Sequence, residues 1–109
     1  MNMDWYSIEF LYPNSYRDFI ESMFPNVGII SVSTLYYFDT KKLYRYFDKK
    51  GIFLTTELFR SYCWGYTISL QNGVVFGPSQ EFKNSREEIE SDGFMECFKI
   101  LDKMLMDTI

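Results

Sequence analysis

The chain has no histidine. That absence removes the commonest general base, the commonest metal ligand and the usual partner of a serine or cysteine nucleophile. Cysteine is scarce: Cys63 and Cys97 are the two, far apart, without metal-ligand spacing or the density of a disulfide framework. They read as reduced, buried thiols of a cytoplasmic protein. The six glycines are scattered, so there is no phosphate-cradling loop and no nucleophile elbow. No apolar run approaches the ~20 residues that cross a bilayer. The start, Met1-Asn2-Met3-Asp4-Trp5, lacks the basic and apolar regions of a signal peptide. No cofactor, metal or small-molecule substrate is implied.

Aromatic rings are abundant. Nine Tyr, eleven Phe and two Trp stand in 109 residues. A domain this small has little room to bury so many, so some rings are expected at the surface, where Tyr in particular serves interfaces. With 47% hydrophobic residues and a net charge of -4, the composition is that of one folded domain.

The pattern predicts an α+β chain in the order β-α-β-α-β-β-β-α. Residues 4–12 alternate, with Tyr6, Ile8 and Phe10 on one side, and read as a half-buried strand closed by Pro13. Asn14 or Ser15 then caps a helix to about Phe24. Residues 28–38 are β-branched and aromatic, hence a strand. Asp39 or Thr40 caps a helix over 41–50, and Gly51 ends it.

Residues 52–60 and 62–71 read as strands. Tyr62, Trp64, Tyr66, Ile68 and Leu70 share one face of the second. Asn72-Gly73 predicts a two-residue hairpin into a strand over 74–82. That register pairs Leu70 with Val75 and sends Val74 and Phe76 to the face opposite Leu70. Pro78 marks the strand as an edge or as ending early. Ser85-Arg86-Glu87-Glu88 is a capping box opening a helix over about 86–106. Its apolar stripe runs Ile89, Gly93, Phe94, Cys97, Phe98, Leu101, Met104 and Leu105, and Gly93 lets it approach the sheet closely. The last three strands form an antiparallel meander with this long helix packed across one face.

Charge is uneven. Residues 41–60 carry six cations against two acids, whereas the segments on either side are each net acidic. On a helix, Lys41, Arg45 and Lys49 recur along one side, Lys42 and Lys50 flank them, and Tyr44 and Tyr46 border the row. Such a row with rings beside it suits a nucleic-acid backbone; it equally suits a solvated helix face, and the acidic remainder opposes phosphate. Glu87, Glu88, Glu90 and Asp92 cluster where a metal or acid/base site would need carboxylates, but acidic residues also favour a helix N-terminus. Carboxylate-based catalysis is the least supported class.

The helix-β-β-β-helix order from residue 41 resembles that of double-stranded RNA-binding domains, which carry a lysine-rich start to their last helix; here that start, Asn84 to Glu90, is acidic. The stretches LYRYFDKKGIFL (43–54) and NSREEIESDGFMECFKILDKML (84–105) are similar to small uncharacterised proteins encoded by bacteriophages of Bacteroidetes. That resemblance implies a phage or mobile-element origin. The reading is therefore a non-catalytic protein-interaction module, binding a protein partner or itself, with Val74, Phe76, Tyr44 and Tyr46 as its contact residues.

Overall fold

The computed structural model describes residues 3–26, 35, 38–60, 63–79 and 82–107. Among them four helices and a three-stranded antiparallel sheet form an α+β fold.

The first segment is a helix, α1 (Trp5–Leu11), where alternation predicted a strand. Asp4 decides the matter locally. Its carboxylate accepts the Ser7 N–H at 3.1 Å and the Ser7 hydroxyl at 2.6 Å, a side-chain cap that starts the first turn. Trp5, Ile8 and Tyr12 also fit a helical period, and Trp5 and Ile8 are the buried pair. The alternating set misleads because Tyr6 and Phe10 lie in solvent. Pro13 does not merely end this segment; it is the first residue of α2 (Pro13–Met23), where its missing N–H has no bond to lose.

The strand expected over 28–38 lies, apart from Leu35 and Phe38, outside the described residues. Leu35 is buried, and its carbonyl accepts the Phe38 N–H at 3.0 Å.

Helix α3 (Thr40–Lys49) is capped by Asp39, whose side chain accepts the Lys41 N–H at 3.0 Å. Gly51, at φ 76°, turns the chain out of it. The strands follow as β1 (Ile52–Arg60), β2 (Cys63–Leu70) and β3 (Val75–Phe76), in sheet order β1-β2-β3.

The hairpin between β2 and β3 has three loop residues rather than two. Leu70 N–H donates to Val74 C=O, Gly73 N–H donates to Leu70 C=O, and Gly73 sits at φ 94°. This one-residue difference moves the register. Ile68 lies opposite Phe76 and Ser69 opposite Val75, so Val75 takes the face away from the helices and Phe76 the helix side.

The third strand is also shorter than expected. After Phe76 the chain leaves the sheet through Gly77 and a cis Pro78. Ser79 then satisfies both backbone groups of Tyr66, its N–H donating to Tyr66 C=O and its Oγ accepting Tyr66 N–H. Lys83 exchanges backbone hydrogen bonds with Trp64. One β-bridge and a side-chain clasp thus replace the remainder of a strand along β2.

Helix α4 (Arg86–Asp107) opens on Ser85, whose Oγ accepts the Glu88 N–H at 3.1 Å. It is central to the fold, touching β1 and β2 on one side and α1 and α2 on the other. Gly93 is the closest approach to the sheet: a Cβ there would fall 2.6 Å from Leu54 Cδ1. Phe98 sits between rings of Trp5, Phe19 and Phe47, at centroid distances of 5.8, 5.6 and 4.9 Å. Two-sided burial widens the inward stripe to include Asp102, while Met104 is exposed.

Candidate functional site

One face of the sheet carries α3 and α4; among the described residues no element packs on the other. Its side chains follow from strand alternation. Phe53, Thr55 and Glu57 come from β1, Cys63, Gly65, Thr67 and Ser69 from β2, and Val75 from β3. Phe53, Ser69 and Val75 make one row across the three strands. At the other end Phe59 and Phe82 meet edge to face, ring centroids 5.3 Å apart. Both rings lie over Gly65, where a Cβ would come within 2.8 Å of each. Glycine at 65 is therefore the seat of this ring pair. Phe53, Phe59, Phe82 and Val75 keep 40%, 44%, 45% and 58% of their surface exposed. The face is apolar at both ends and hydroxyl-bearing between, with Glu57 its one charge among the described side chains.

The helix-side edge of β3 borders an open groove of about 770 Å³ between this strand and α4, with Phe76 and Pro78 on one wall and Asp92, Glu96 and Lys99 on the other. Lys99 and Glu96 lie 4.0 Å apart. Phe76 is 41% exposed here.

The contact residues expected from sequence divide. Val74 and Phe76 are exposed, at the hairpin and the groove. Tyr46 is not a surface residue: it is 2% exposed, its ring packs on Phe19 and Phe47, and its hydroxyl donates to Asp18 at 2.5 Å. Tyr44 is half-buried against Phe94, and its hydroxyl donates to Glu90 at 2.6 Å. Burial, then the neighbouring carboxylate, push both phenols well above their ordinary range. The two tyrosines bind α3 to α4 and α2: Tyr46 is thereby buried, while Tyr44 stays half-buried and keeps part of its side chain accessible.

Of the basic residues, Lys41, Lys42, Arg45 and Lys49 are exposed. Lys50 is engaged, 2.8 Å from Asp18 and over the Tyr46 ring. Of the carboxylates at the start of α4, Glu90 holds Tyr44, and Glu87, Glu88 and Asp92 border a shallow, open pocket of about 290 Å³ with Lys83 and Ser85. Among the described residues no group of three or more His, Cys, Asp or Glu is placed to hold a metal ion, and no helix is long and apolar enough to cross a membrane. Burial raises the Cys97 thiol far above its ordinary value, with Glu96 adding to the effect, so it is a packing residue without thiolate character.

Phe53, Phe59 and Phe82 were not singled out from sequence. The signal for Phe53 was available: in Ile52-Phe53-Leu54 the two flanking aliphatics claim the core face and leave the ring outside. For Phe59 and Phe82 there was none, since a register shift between Leu58 and Arg60 and the return of the chain at Lys83 aim them.

Comparison with family models, with curated proteins and with solved structures found no match to this chain.

Proposed function

We propose that the chain is a non-catalytic protein-binding module that receives its partner on the open sheet face. The observation that carries this reading is the exposure of Phe53, Phe59, Phe82 and Val75 on one face. Monomer surfaces seldom gather such residues without a use for them. Aromatic anchors among short hydroxyl side chains suit a protein surface. A nucleic-acid sheet platform would combine its rings with cations, and among the described side chains this face carries Glu57 and no cation. The similarity of segments 43–54 and 84–105 to phage proteins extends the proposal to a phage accessory factor acting on a host or phage protein.

The test is selection of ligands from a displayed library of peptides and small domains against the wild-type protein, with Phe53→Ser and Val75→Ser as counter-targets. Ligands that bind the wild type and lose affinity for both variants, at matched thermal stability, support the reading. Ligands that bind all three equally, or a selection that enriches none, overturn it.

The exposed row of Lys41, Arg45 and Lys49 favours a second reading, a weak nucleic-acid contact on α3; its test is given in the Discussion.

A further inference from the structure

β1 is an edge strand of nine residues, and its hydrogen-bonding pattern shows which groups it leaves unpaired. Gln71 N–H donates to Gly51 C=O at 2.9 Å, so 51 and 71 form a hydrogen-bonded pair. Such pairs alternate along an antiparallel ladder. Phe53, Thr55 and Glu57 therefore bond to β2, while Leu54, Thr56 and Leu58 aim their N–H and C=O groups at the outer edge. Among the described residues no backbone group pairs with them. The ladder is regular from Ile52 to Leu58, and its irregularity, the register shift between Leu58 and Arg60, lies at the end of the strand. The strand holds no proline and no lysine, and its edge residue Leu58 is 54% exposed.

We infer that this edge pairs with the same edge of a second copy of the chain, two β1 strands running antiparallel about a two-fold axis at Thr56 to make a continuous six-stranded sheet. Three observations select this occupant and this register. First, the outward groups belong to even-numbered residues, so a two-fold pairing must set even opposite even; centring on Thr56 does so and uses the whole strand. Leu54 of each copy then lies opposite Leu58 of the other, which covers the exposed leucine. Second, on the open face Phe53 of each copy comes toward Phe59 of the other, at the register shift that follows Leu58, so that two aromatic contacts cross the two-fold axis for one register. Third, charge discriminates. Centring one residue later sets Glu57 directly against Glu57, a like-charge pair; centring on Thr56 sets Glu57 against Thr55. A two-fold contact uses each of these complementary pairs twice, as isologous dimers do.

The inference deepens the protein-binding reading, because Phe53 and Phe59 belong to both surfaces, but the two fail separately. Leu58 lies on the edge and Val75 on the far side of the sheet, so Leu58→Lys reports on the dimer and Val75→Ser on open-face binding.

The experiment is light scattering after size exclusion, from micromolar to near-millimolar protein, together with cysteine cross-linking in a Cys63→Ser background. Thr55 and Glu57 of opposite copies would form a non-hydrogen-bonded pair with Cα atoms about 4.5 Å apart, within disulfide reach. The expected results are a concentration-dependent dimer, weakening by roughly tenfold or more in Leu58→Lys, and near-complete disulfide dimer for Thr55→Cys/Glu57→Cys. Thr55→Cys alone and Glu57→Cys alone should not cross-link, because each would meet a non-cysteine residue. A monomer throughout the range overturns the proposal. So does a dimer indifferent to Leu58→Lys, or one cross-linked by either single cysteine, which would mean another register. Circular dichroism of Leu58→Lys guards against loss of fold, and Leu58→Glu, at the same exposed position, repeats the test.

Discussion

Asp102, on the last helix, caps the helix that begins at Pro13 by binding Ser15. Its Oδ1 accepts the Ser15 N–H at 3.0 Å and the Asn14 N–H at 2.8 Å, and the Ser15 hydroxyl returns to the Phe98 carbonyl at 2.9 Å. Helix α2 has no side-chain cap of its own, so its first-turn donors are satisfied from 87 residues away. A helix terminus inside a protein needs such partners, and a carboxylate near its positive end gains from the dipole. Asp102→Ala should cost about 1–3 kcal/mol by leaving these N–H groups without an acceptor. Asp102→Asn keeps an acceptor oxygen and should recover part of that loss. Equilibrium denaturation of the three proteins is the measurement; equal stability of Asp102→Ala and wild type would contradict the cap.

Phe98→Ala empties the centre of the aromatic cluster. It should lose about 3–5 kcal/mol, a large part of what holds a domain of this size together. Chemical denaturation reads it directly, and an unchanged midpoint would mean that α4 does not sit where described.

Gly93→Ala opposes two effects. Alanine improves helix propensity by about 1 kcal/mol, yet its Cβ would meet Leu54 at 2.6 Å. Overpacking of this kind costs about 1–3 kcal/mol, so the single variant should be destabilised. Leu54→Ala removes the atoms in the way. In the double variant the alanine at 93 should therefore turn neutral or stabilising relative to Leu54→Ala alone, and a double-mutant cycle gives the coupling. Additive effects would place the two residues out of contact.

Asp18 links stability to pH. Burial pushes its carboxyl up, but hydrogen bonds from Lys50 and Tyr46 and the Lys50 charge outweigh this and hold it below its ordinary 3.8. A depressed carboxylate contributes stability that is present above its unfolded value and is lost as pH falls through the folded one. Wild type should therefore exceed Asp18→Asn in stability at neutral pH, and the difference should shrink below about pH 4. At the alkaline end the sign reverses. Tyr44 and Tyr46 have raised phenols, whose contribution is complete below about pH 10 and is lost above it. Thermal melts across pH for wild type, Asp18→Asn and Tyr46→Phe test both limbs.

For the basic row on α3, the four exposed cations allow a salt slope no steeper than about -4 on duplex DNA, and the acidic remainder lowers the affinity further. Binding of DNA or RNA should be undetectable at physiological salt and weak at low salt, and Lys41→Glu with Arg45→Glu should abolish it. Submicromolar binding at physiological salt that the double variant loses would make α3 the functional surface.

Local sequence determined every element whose start and stop signals lie within a few residues. Asp39 and Gly51 bound α3, Ser85 opens α4, and Gly73 makes the hairpin, each through a backbone group satisfied by a near neighbour. Residues 52–60 and 63–70 pair as strands because nothing in them competes with the ladder. Tertiary structure decided the remainder. Residues 5–11 satisfy both a two-residue and a helical period; the Asp4 cap is local, but the alternation competes with it until the aromatic core receives Trp5. The faces of Val75 and Phe76 turn on one extra loop residue. The fates of Tyr44 and Tyr46 depend on Glu90 and Asp18, distant carboxylates that no spacing along the chain reveals. The open face of the sheet has the same origin: which rings remain in solvent is set by where α3 and α4 come to rest, and that is a property of packing between elements, which the pattern within each element does not contain.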